Sequence, residues 1–280
     1  MVRVIGSDTQ MVGGAHVTLH RVTPTNPGAV DSMLSDAGGR FGFRIAADSG
    51  VVYLVSARWA GIEYFAAPFV VHVDSPPPTV TVVVSDTSST TPFRLVARHL
   101  IVSPPSPEGS RDVVELFVLE NAGTVTRVSA APGKPTWRAH LPRFAVNVRP
   151  GNSDFAADAV KFAGDLVALF AAIPPGQRDV ELDYQIPPNS AQFELPVDED
   201  VPISNVVSAD KGMRIAGFTR SDTVIDNKPY ARWQGSLTAG KPLVLEFGNA
   251  DSTKWLVPLL AGAMALVLVG VTVRAVRRAA

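Results

Sequence analysis

Apolar and polar residues alternate with a period of two through most of the first 86 positions. In AHVTLHRV, positions 15, 17 and 19 are apolar, whereas His16, Thr18 and His20 lie between them. The segments RFGFRI (40–45) and VVYLVSARW (51–59) repeat the alternation. Turn-forming clusters such as TPTNPGA and SDAGGR separate these segments, and their Asn, Asp and Gly residues suit tight reversals. The pattern predicts short, half-buried strands packed as a β-sandwich.

The same pattern continues in residues 93–249 with a different spacing. VVELFVL (113–119) is apolar on both faces apart from its one Glu, which predicts a strand buried on both sides. DFAADAVKFAGDLVALFA (154–171) has near-helical spacing, but its Gly and its strand-rich surroundings leave helix and strand both open. We expect a second β-sandwich at 93–249, joined to the first (1–86) by the polar linker TSSTTP (87–92).

A long apolar segment, WLVPLLAGAMALVLVGVTV (255–273), lies near the C-terminus. No charged residue lies between Lys254 and Arg274, and about 20 apolar residues suffice for a helix to cross a hydrocarbon core about 30 Å thick. The segment has no polar face, which argues against a helix lying in the membrane surface. We therefore predict a single transmembrane α-helix at 255–273. A buried core helix of a soluble protein is the alternative.

Positive charge beyond this helix predicts its orientation. Three arginines lie in the short basic tail 274–280, whereas Lys254 alone precedes the helix. Because positive residues remain cytoplasmic, we expect a single-pass inner-membrane protein whose bulk is extracytoplasmic. The residues expected at the membrane interfaces are Trp255, Arg274, Arg277 and Arg278.

Export would need a leader that the given sequence does not supply. MVRVIGSDTQMVGG has neither the basic region nor the apolar core of a secretory signal. We expect the signal peptide to be missing from this chain, with the true start upstream. A tail-anchored protein with its bulk in the cytosol is the alternative.

Composition narrows the function classes. Of the 280 residues, 46% are hydrophobic and 18% are charged, which fits strands joined by turns better than long solvated helices. The net charge of −1 and the lack of a basic stripe with interleaved aromatics argue against nucleic-acid binding. The sequence contains no Cys, so disulfides, thiolate metal sites and cysteine nucleophiles are excluded.

The N-terminal motifs GGAHVTL, SDAGGRFGF and YLVSARWAGIEY resemble those of bacterial carboxypeptidase regulatory-like domains, which are transthyretin-like β-sandwiches of the immunoglobulin-like kind. The resemblance covers residues 1–86. It implies that the hairpin motif formed by Asp36, Gly39, Arg40 and Phe41 is structural, and that the domain contains no catalytic residue. Residues 93–249 are similar to the middle region of bacterial membrane-anchored proteins that carry such a module.

Few residue patterns indicate chemistry. Ser208 and Lys211 have the spacing of Ser-x-x-Lys acyl enzymes, but the surrounding sequence is strand-like, so we interpret the match as chance. The acidic run at 198–200 could offer oxygen ligands to a hard cation, yet it lacks the spacing and glycine of a calcium loop. His16 and His20 would lie about 13 Å apart on one strand face, too far to share an ion. We therefore assign no catalytic residue, no metal site and no cofactor.

Two function classes remain. In the first, two β-sandwiches on a membrane anchor bind or scaffold by contact, with the lipid bilayer, a cell-envelope glycan or another membrane protein as partner. Trp59, Trp137 and Trp233 are candidates for sugar contact, although core packing is the commoner role of Trp in a sandwich. The second class is an envelope hydrolase that uses carboxylates of the second domain. We favour the first, non-catalytic class.

Overall fold

The computed structural model describes residues 2–6, 9–23, 26–74, 76, 78–210, 212–225 and 227–248. The predicted membrane segment and basic tail, with Trp255, Arg274, Arg277 and Arg278, lie outside these residues. No helix within the described part of the chain has the length and apolarity needed to span a membrane.

The described chain is mainly β, as the sequence predicts. Strands β1–β9 are Val2–Gly6, His16–Val22, Gly28–Leu34, Arg40–Phe41, Asp48–Trp59, Ile62–Phe65, Phe69–Val71, Thr81–Val84 and Thr87–Ser88. Strands β10–β16 are Arg94–Val102, Arg111–Asn121, Thr126–Arg127, Trp137–His140, Val146–Pro150, Val160–Ala163 and Leu166–Leu169. Strands β17–β23 are Gly176–Ile186, Gln192–Leu195, Val201–Ser208, Arg214–Ile215, Thr219–Ile225, Lys228–Leu237 and Leu243–Glu246. A single 3-10 turn at Ala157–Ala159 precedes β15.

The described residues fall into two compact units. The first takes residues from 1–94, 120–136 and 170–177, and the second takes residues from 95–119, 137–169 and 178–248. Within the predicted linker 87–92, Thr87–Ser88 forms strand β9, which pairs in parallel with β12. The first unit is therefore assembled from three separate stretches of sequence.

The first unit is built on a five-stranded sheet, in which β3, β2, β5 and β6 are neighbours and β7 also pairs with β5, and on a three-stranded sheet in the order β4-β1-β8. The predicted alternation is confirmed where Ala15, Val17 and Leu19 are buried in the core. One predicted strand is shorter than expected, because β4 ends at Phe41. The next residues of that segment still pack against the core without a strand ladder.

Buried side-chain hydrogen bonds connect the three stretches of the first unit. The Tyr64 hydroxyl donates to the carbonyl oxygen of Ser85 at 2.8 Å and lies 2.9 Å from Thr126 Oγ1. The hydroxyls of Ser85 and Thr126 are 2.5 Å apart. Asn121 Nδ2 donates to the carbonyl oxygen of Ile173 at 2.9 Å. These bonds satisfy polar groups that would otherwise be costly to bury.

The second unit is built on a seven-stranded sheet in the order β14-β17-β11-β10-β19-β22-β21, with three-stranded sheets β13-β16-β15 and β18-β23-β20. The prediction that 113–119 is buried on both sides is confirmed, since the successive residues Leu116, Phe117, Val118 and Leu119 are all at most 5% exposed. The segment whose helix or strand character was open forms the hairpin β15–β16. Its Gly adopts φ 63°, which suits the reversal between the two strands.

The β5–β6 hairpin contains a strained turn that mutation should relieve. Ala60 has φ 47° and Gly61 has φ 82°, as in a type I′ turn, where Asn is tolerated better than Ala. We expect Ala60→Asn to raise the free energy of unfolding by about 1 kcal/mol, measured by urea denaturation. Ala60→Val, which adds β-branching at the same left-handed position, is the matched control and should destabilise the protein. Equal stability of the Asn and Val variants would contradict this account.

Candidate functional site: a buried ionic centre in the second unit

The interior of the second unit holds an ion pair with almost no exposure. Arg98 lies on β10 and Glu115 on β11, and Arg98 Nε donates to Glu115 Oε1 at 2.5 Å. Their side chains are 3% and 1% exposed. Arg98 Nη1 also donates to the carbonyl oxygen of Pro196 at 2.5 Å, and the guanidinium lies 5.0 Å from the centre of the Phe117 ring. Because each buried charge costs several kcal/mol without its partner, the two residues depend on each other.

Two aromatic residues with polar tips complete this centre. Burial, and then the charge of Glu115, raise the pKa of the Tyr184 hydroxyl well above its usual range. The Trp137 ring packs 5.1 Å from the Phe117 ring. Within the described residues, no protein group forms a hydrogen bond with Arg98 Nη2, Glu115 Oε2, Trp137 Nε1 or the Tyr184 hydroxyl. The charge of Glu115 thus acts on the Tyr184 hydroxyl as well as on Arg98.

A small cavity adjoins the ion pair. Arg98, Phe117 and Trp137 line it together with the acidic residues Asp198 and Glu199. Its volume is about 10 Å³, enough for about one water molecule. Sites for small organic ligands occupy roughly 300–1,000 Å³, so this cavity does not accommodate a substrate.

The three acidic residues at 198–200 do not converge on a common point. Asp198 holds His140, with Oδ1 2.6 Å from the ring Nδ1 and Oδ2 accepting the His140 backbone N–H at 2.7 Å. Glu199 and Asp200 accept backbone N–H groups from two other segments, at 3.5 and 2.9 Å. The described residues contain no group of three His, Cys, Asp or Glu side chains that could hold a metal ion. We therefore assign no cation site to this run.

Other residues singled out in the sequence have structural partners. Ser208 is fully buried and donates from Oγ to the carbonyl oxygen of Val102 at 2.7 Å, while Lys211 lies outside the described residues. His20 Nε2 lies 2.8 Å from Ser56 Oγ, and that hydroxyl is itself buried. Ser208 is therefore not presented as a nucleophile.

The three tryptophans proposed for sugar contact differ in exposure. Trp137 and Trp233 are 5% and 2% exposed, so neither ring face is open to a glycan. Trp59 is half-buried, and its Nε1 donates to Asp86 Oδ1 at 3.0 Å. For Trp137 and Trp233 the core-packing interpretation is right, which leaves Trp59 as the one of the three that a sugar could reach.

A second buried polar network joins His99, Asn205 and Arg232. Asn205 Nδ2 lies 3.1 Å from His99 Nδ1, and Arg232 Nη2 donates to Asn205 Oδ1 at 2.7 Å. Burial, and then the charge of Arg232, lower the pKa of His99 to about 4. His99 is therefore neutral at physiological pH, and Nδ1 accepts the amide hydrogen of Asn205.

An acidic cluster lies on β17 and the loop beside it. The backbone N–H of Asp179 donates to Asp154 Oδ2 at 2.9 Å, and Glu181 Oε1 accepts the backbone N–H of Asn152 at 3.0 Å. Burial, and then the charges of Asp154 and Glu181, raise the pKa of Asp179 to about 6, against a weaker opposing effect of Arg178. Burial, reinforced by the neighbouring carboxylates, therefore makes Asp179 release its proton closer to neutral pH, because its pKa is about 6.

Sequence reasoning missed the ionic centre. The available signal was the single charge inside each of two long apolar runs, Arg98 in LVARHLIV and Glu115 in VVELFVL. A charge at the middle of a strand that is buried on both faces requires a partner. Which partner it takes depends on strand order, and the sequence pattern does not specify that order.

Comparison with solved structures finds a weak likeness to M1 zinc metallopeptidases. A mutant of the Deinococcus radiodurans enzyme bound to a Tyr-Ser-Ala substrate aligns at 11% identity with a TM-score of 0.35, over 55% of this chain and 42% of that one. A second structure of the M1 zinc metallopeptidase from the same organism aligns at 11% identity with a TM-score of 0.33, over 55% of this chain and 42% of that one. The chain spans less than half the length of these enzymes, and similarity at this level carries no argument about activity. No protein-family model and no curated protein matches the chain.

The Arg98–Glu115 pair should behave as one unit in a double-mutant cycle. We expect Arg98→Met and Glu115→Leu each to lower the free energy of unfolding by about 3–5 kcal/mol, because each leaves an unpaired buried charge. The double variant should recover most of that loss, since it leaves neither charge. Urea denaturation of the three variants measures the coupling.

The control for this cycle is the exposed pair Arg94–Glu120, whose side chains are 70% and 22% exposed. Disruption of this exposed pair should lower the free energy of unfolding by less than about 1 kcal/mol. If the double variant lost as much free energy of unfolding as the two single variants together, the interdependence of Arg98 and Glu115 would be contradicted.

Asp179 should make stability decrease as the pH rises. Its pKa in the folded protein is about 6 against an ordinary 3.8, so the folded state holds the proton more tightly. This contribution is complete below pH 3.8 and is lost as the pH rises through about 6. We expect Asp179→Asn to be more stable than the parent above that range by about 1 kcal/mol, after allowance for solvent screening, with no difference below it.

Chemical denaturation across this pH range measures the effect. Asp222→Asn removes the same charge from an exposed edge strand and should leave the pH profile unchanged. If Asp179→Asn retained the pH dependence of the parent, the raised pKa of Asp179 would be refuted.

Proposed function

We propose that this chain is a non-catalytic, membrane-anchored protein whose two β-sandwich domains bind or scaffold by contact on the extracytoplasmic side of the inner membrane. In this proposal residues 1–86 form a carboxypeptidase regulatory-like domain, which 120–136 and 170–177 extend, and the remainder of 93–249 forms a second sandwich. The helix at 255–273 anchors both domains to the lipid bilayer. The partner is a cell-envelope glycan or another membrane protein.

The observation that carries the proposal is the state of the charged groups inside the second unit. Arg98 is paired with Glu115 and Arg111 with Asp210, whereas His140 and Asp198 form a hydrogen-bonded pair whose side chains are exposed. The cavity beside Arg98 holds about one water molecule. Carboxylates that are committed to partners in this way favour a role in stability over a role as a catalytic acid and base.

The sequence supplies the support for the membrane anchor. An apolar segment of this length that is followed by arginines is typical of a single spanning helix with its C-terminus in the cytoplasm. The motifs of residues 1–86 favour a domain that is common in bacterial surface and periplasmic proteins.

One exposed surface of the first unit supports a glycan as partner. Phe65 is 58% exposed, and its ring centre lies 6.3 Å from that of His20 on the outer face of the five-stranded sheet. Arg58 and Glu63 are directly paired on neighbouring strands of that sheet and are exposed. An accessible aromatic ring among polar side chains is suited to contact with a sugar.

Membrane anchoring gives the test of this proposal. The full chain, expressed behind a secretory leader, should remain in the membrane fraction after carbonate extraction and should be digested by protease added to spheroplasts. Leu260→Arg combined with Val267→Arg should release it, because each charge costs about 2.5–3.5 kcal/mol at the centre of a helix in the membrane.

A variant with Ala261→Leu and Ala265→Leu keeps the segment apolar and is the matched control, which should stay in the membrane. Recovery of the parent chain as a freely soluble protein without detergent would overturn the proposal. Protection from protease until the inner membrane is lysed would overturn the extracytoplasmic orientation.

A further inference from the structure

The end of the second unit at which the chain passes Gly248 carries exposed apolar side chains. We propose that this end, termed the exit end, contacts the surface of the lipid bilayer. The exit end comprises residues 103–110 and 187–191 and the ends of β14 and β21 nearest to them. This contact rests on the proposed anchor at 255–273, and it adds a defined orientation of the second unit on the bilayer.

The chain is fastened to the second unit as far as Gly248. The backbone N–H of Phe247 donates to the carbonyl oxygen of Ala191 at 2.9 Å, and that of Gly248 donates to the carbonyl oxygen of Gly212 at 3.2 Å. The guanidinium of Arg111 lies 4.3 Å from the centre of the Phe247 ring. The point at which the chain leaves the unit is therefore fixed.

The linker to the predicted helix is short. Six residues, 249–254, separate Gly248 from Trp255. Because an extended chain advances at most about 3.6 Å per residue, this linker can place Trp255 at most about 25 Å from Gly248. By comparison β10, from Arg94 to Val102, is about 30 Å long at the usual rise per residue. The exit end is thus always within reach of the bilayer, whereas the opposite end reaches it only if the unit lies on its side.

Two neighbouring loops lie beside the point of exit. The segment 187–191, which accepts the Phe247 backbone N–H, follows β17. The loop 103–110 joins β10 to β11, and a side-chain carbon added at Gly109 would lie 3.3 Å from Pro188 Cβ. The ends of β10 and β17 and the start of β11 therefore meet at the exit end.

Both edge strands of the seven-stranded sheet bring exposed apolar residues to this end. At one edge, β14 begins at Val146, opposite Gln185 near the end of β17. Val146 is 44% exposed, and Phe144, two residues before it, is 73% exposed. At the other edge, β21 ends beside the start of β22, which itself lies beside the end of β19, and β19 runs parallel to β10. Val224, the last residue but one of β21, is 68% exposed.

The position of these side chains indicates lipid as their partner. Apolar residues scattered singly over a surface are ordinary, but Phe144 and Val224 are the two most exposed large apolar side chains described in the second unit. Both lie at the end from which the chain continues toward the anchor. Burial of apolar area in the interfacial region of a bilayer favours binding in proportion to that area. Contact with lipid at the exit end removes this apolar area from water without any further partner.

Fluorescence quenching in lipid vesicles tests the contact. The chain contains no Cys, so Glu108→Cys and Thr238→Cys each allow a single fluorophore to be attached. Glu108 is exposed at the exit end. Thr238 is exposed at the opposite end, since it follows Leu237, which pairs with Val201 at the start of β19. The full chain is reconstituted in phosphatidylcholine vesicles that contain a lipid with a nitroxide on its headgroup. We expect the label at 108 to be quenched several-fold more strongly than the label at 238.

Two further variants test whether the apolar side chains maintain this orientation. Phe144→Ser combined with Val224→Ser should lower the quenching at 108 toward that at 238. Ile203→Ser is the matched control, because it removes a side chain that is 44% exposed and lies five residues before the end of β19. It should leave the quenching unchanged. Substitutions at such exposed positions have little effect on stability, so the variants keep the fold. Undiminished quenching in the double variant would overturn the apolar contact.

Failure of the contact is distinguishable from failure of the anchor. A chain that floats with the vesicles but shows equal quenching at 108 and 238, or stronger quenching at 238, would overturn the contact and leave the anchor intact. A chain that does not float with the vesicles would overturn both.

Discussion

The cost of removing charge from water is the constraint on which the second unit depends. Its seven-stranded sheet carries Arg98, Glu115 and Arg111 at positions with almost no exposure. Each charge is met by an opposite charge, and each of the two guanidinium groups also lies against an aromatic ring. Arg111 Nη1 lies 2.7 Å from Asp210 Oδ2, and the central carbon of the guanidinium lies 4.3 Å from the centre of the Phe247 ring. Burial lowers the pKa of Arg111, and the charge of Asp210 opposes that effect.

The buried polar pairs also help to define the register of the strands. The partners of Arg98 and His99 include Pro196 and Asn205, about a hundred positions away in the sequence. In the sheet, β10 and β19 run parallel, with His99 opposite Asn205. A shift of one residue would turn every side chain to the other face and separate each polar group from its partner. Buried polar groups thus favour one register in strands whose apolar residues alone would tolerate several.

Periodicity predicted the strands but not their partners. The alternation at residues 15–19 and the apolar run at 113–119 identified segments whose burial the structure confirms, because period-two patterns report a local property of the chain. Strand order is a non-local property, so the pairs formed by Arg98 and His99 could not be read from spacing. The same reason explains why residues 120–136 and 170–177 were not recognised as parts of the first unit. For residues 154–171 local spacing alone was compatible with both a helix and strands. The segment forms strands, and one of them, β16, pairs with β13.

The discontinuous first unit has a consequence for synthesis. Thr126 and Ile173 are bonded to groups of the same unit that are made much earlier, so the unit lacks part of its buried bonding until residue 177 has emerged. Domains usually fold as units while the chain grows, N-terminal part first. Here Tyr64 and Ser85 gain the Thr126 hydroxyl only after residues 95–119 of the second unit have been made, and Asn121 gains the Ile173 carbonyl oxygen only after residues 137–169. Completion of the first unit is thus coupled in time to the synthesis of parts of the second.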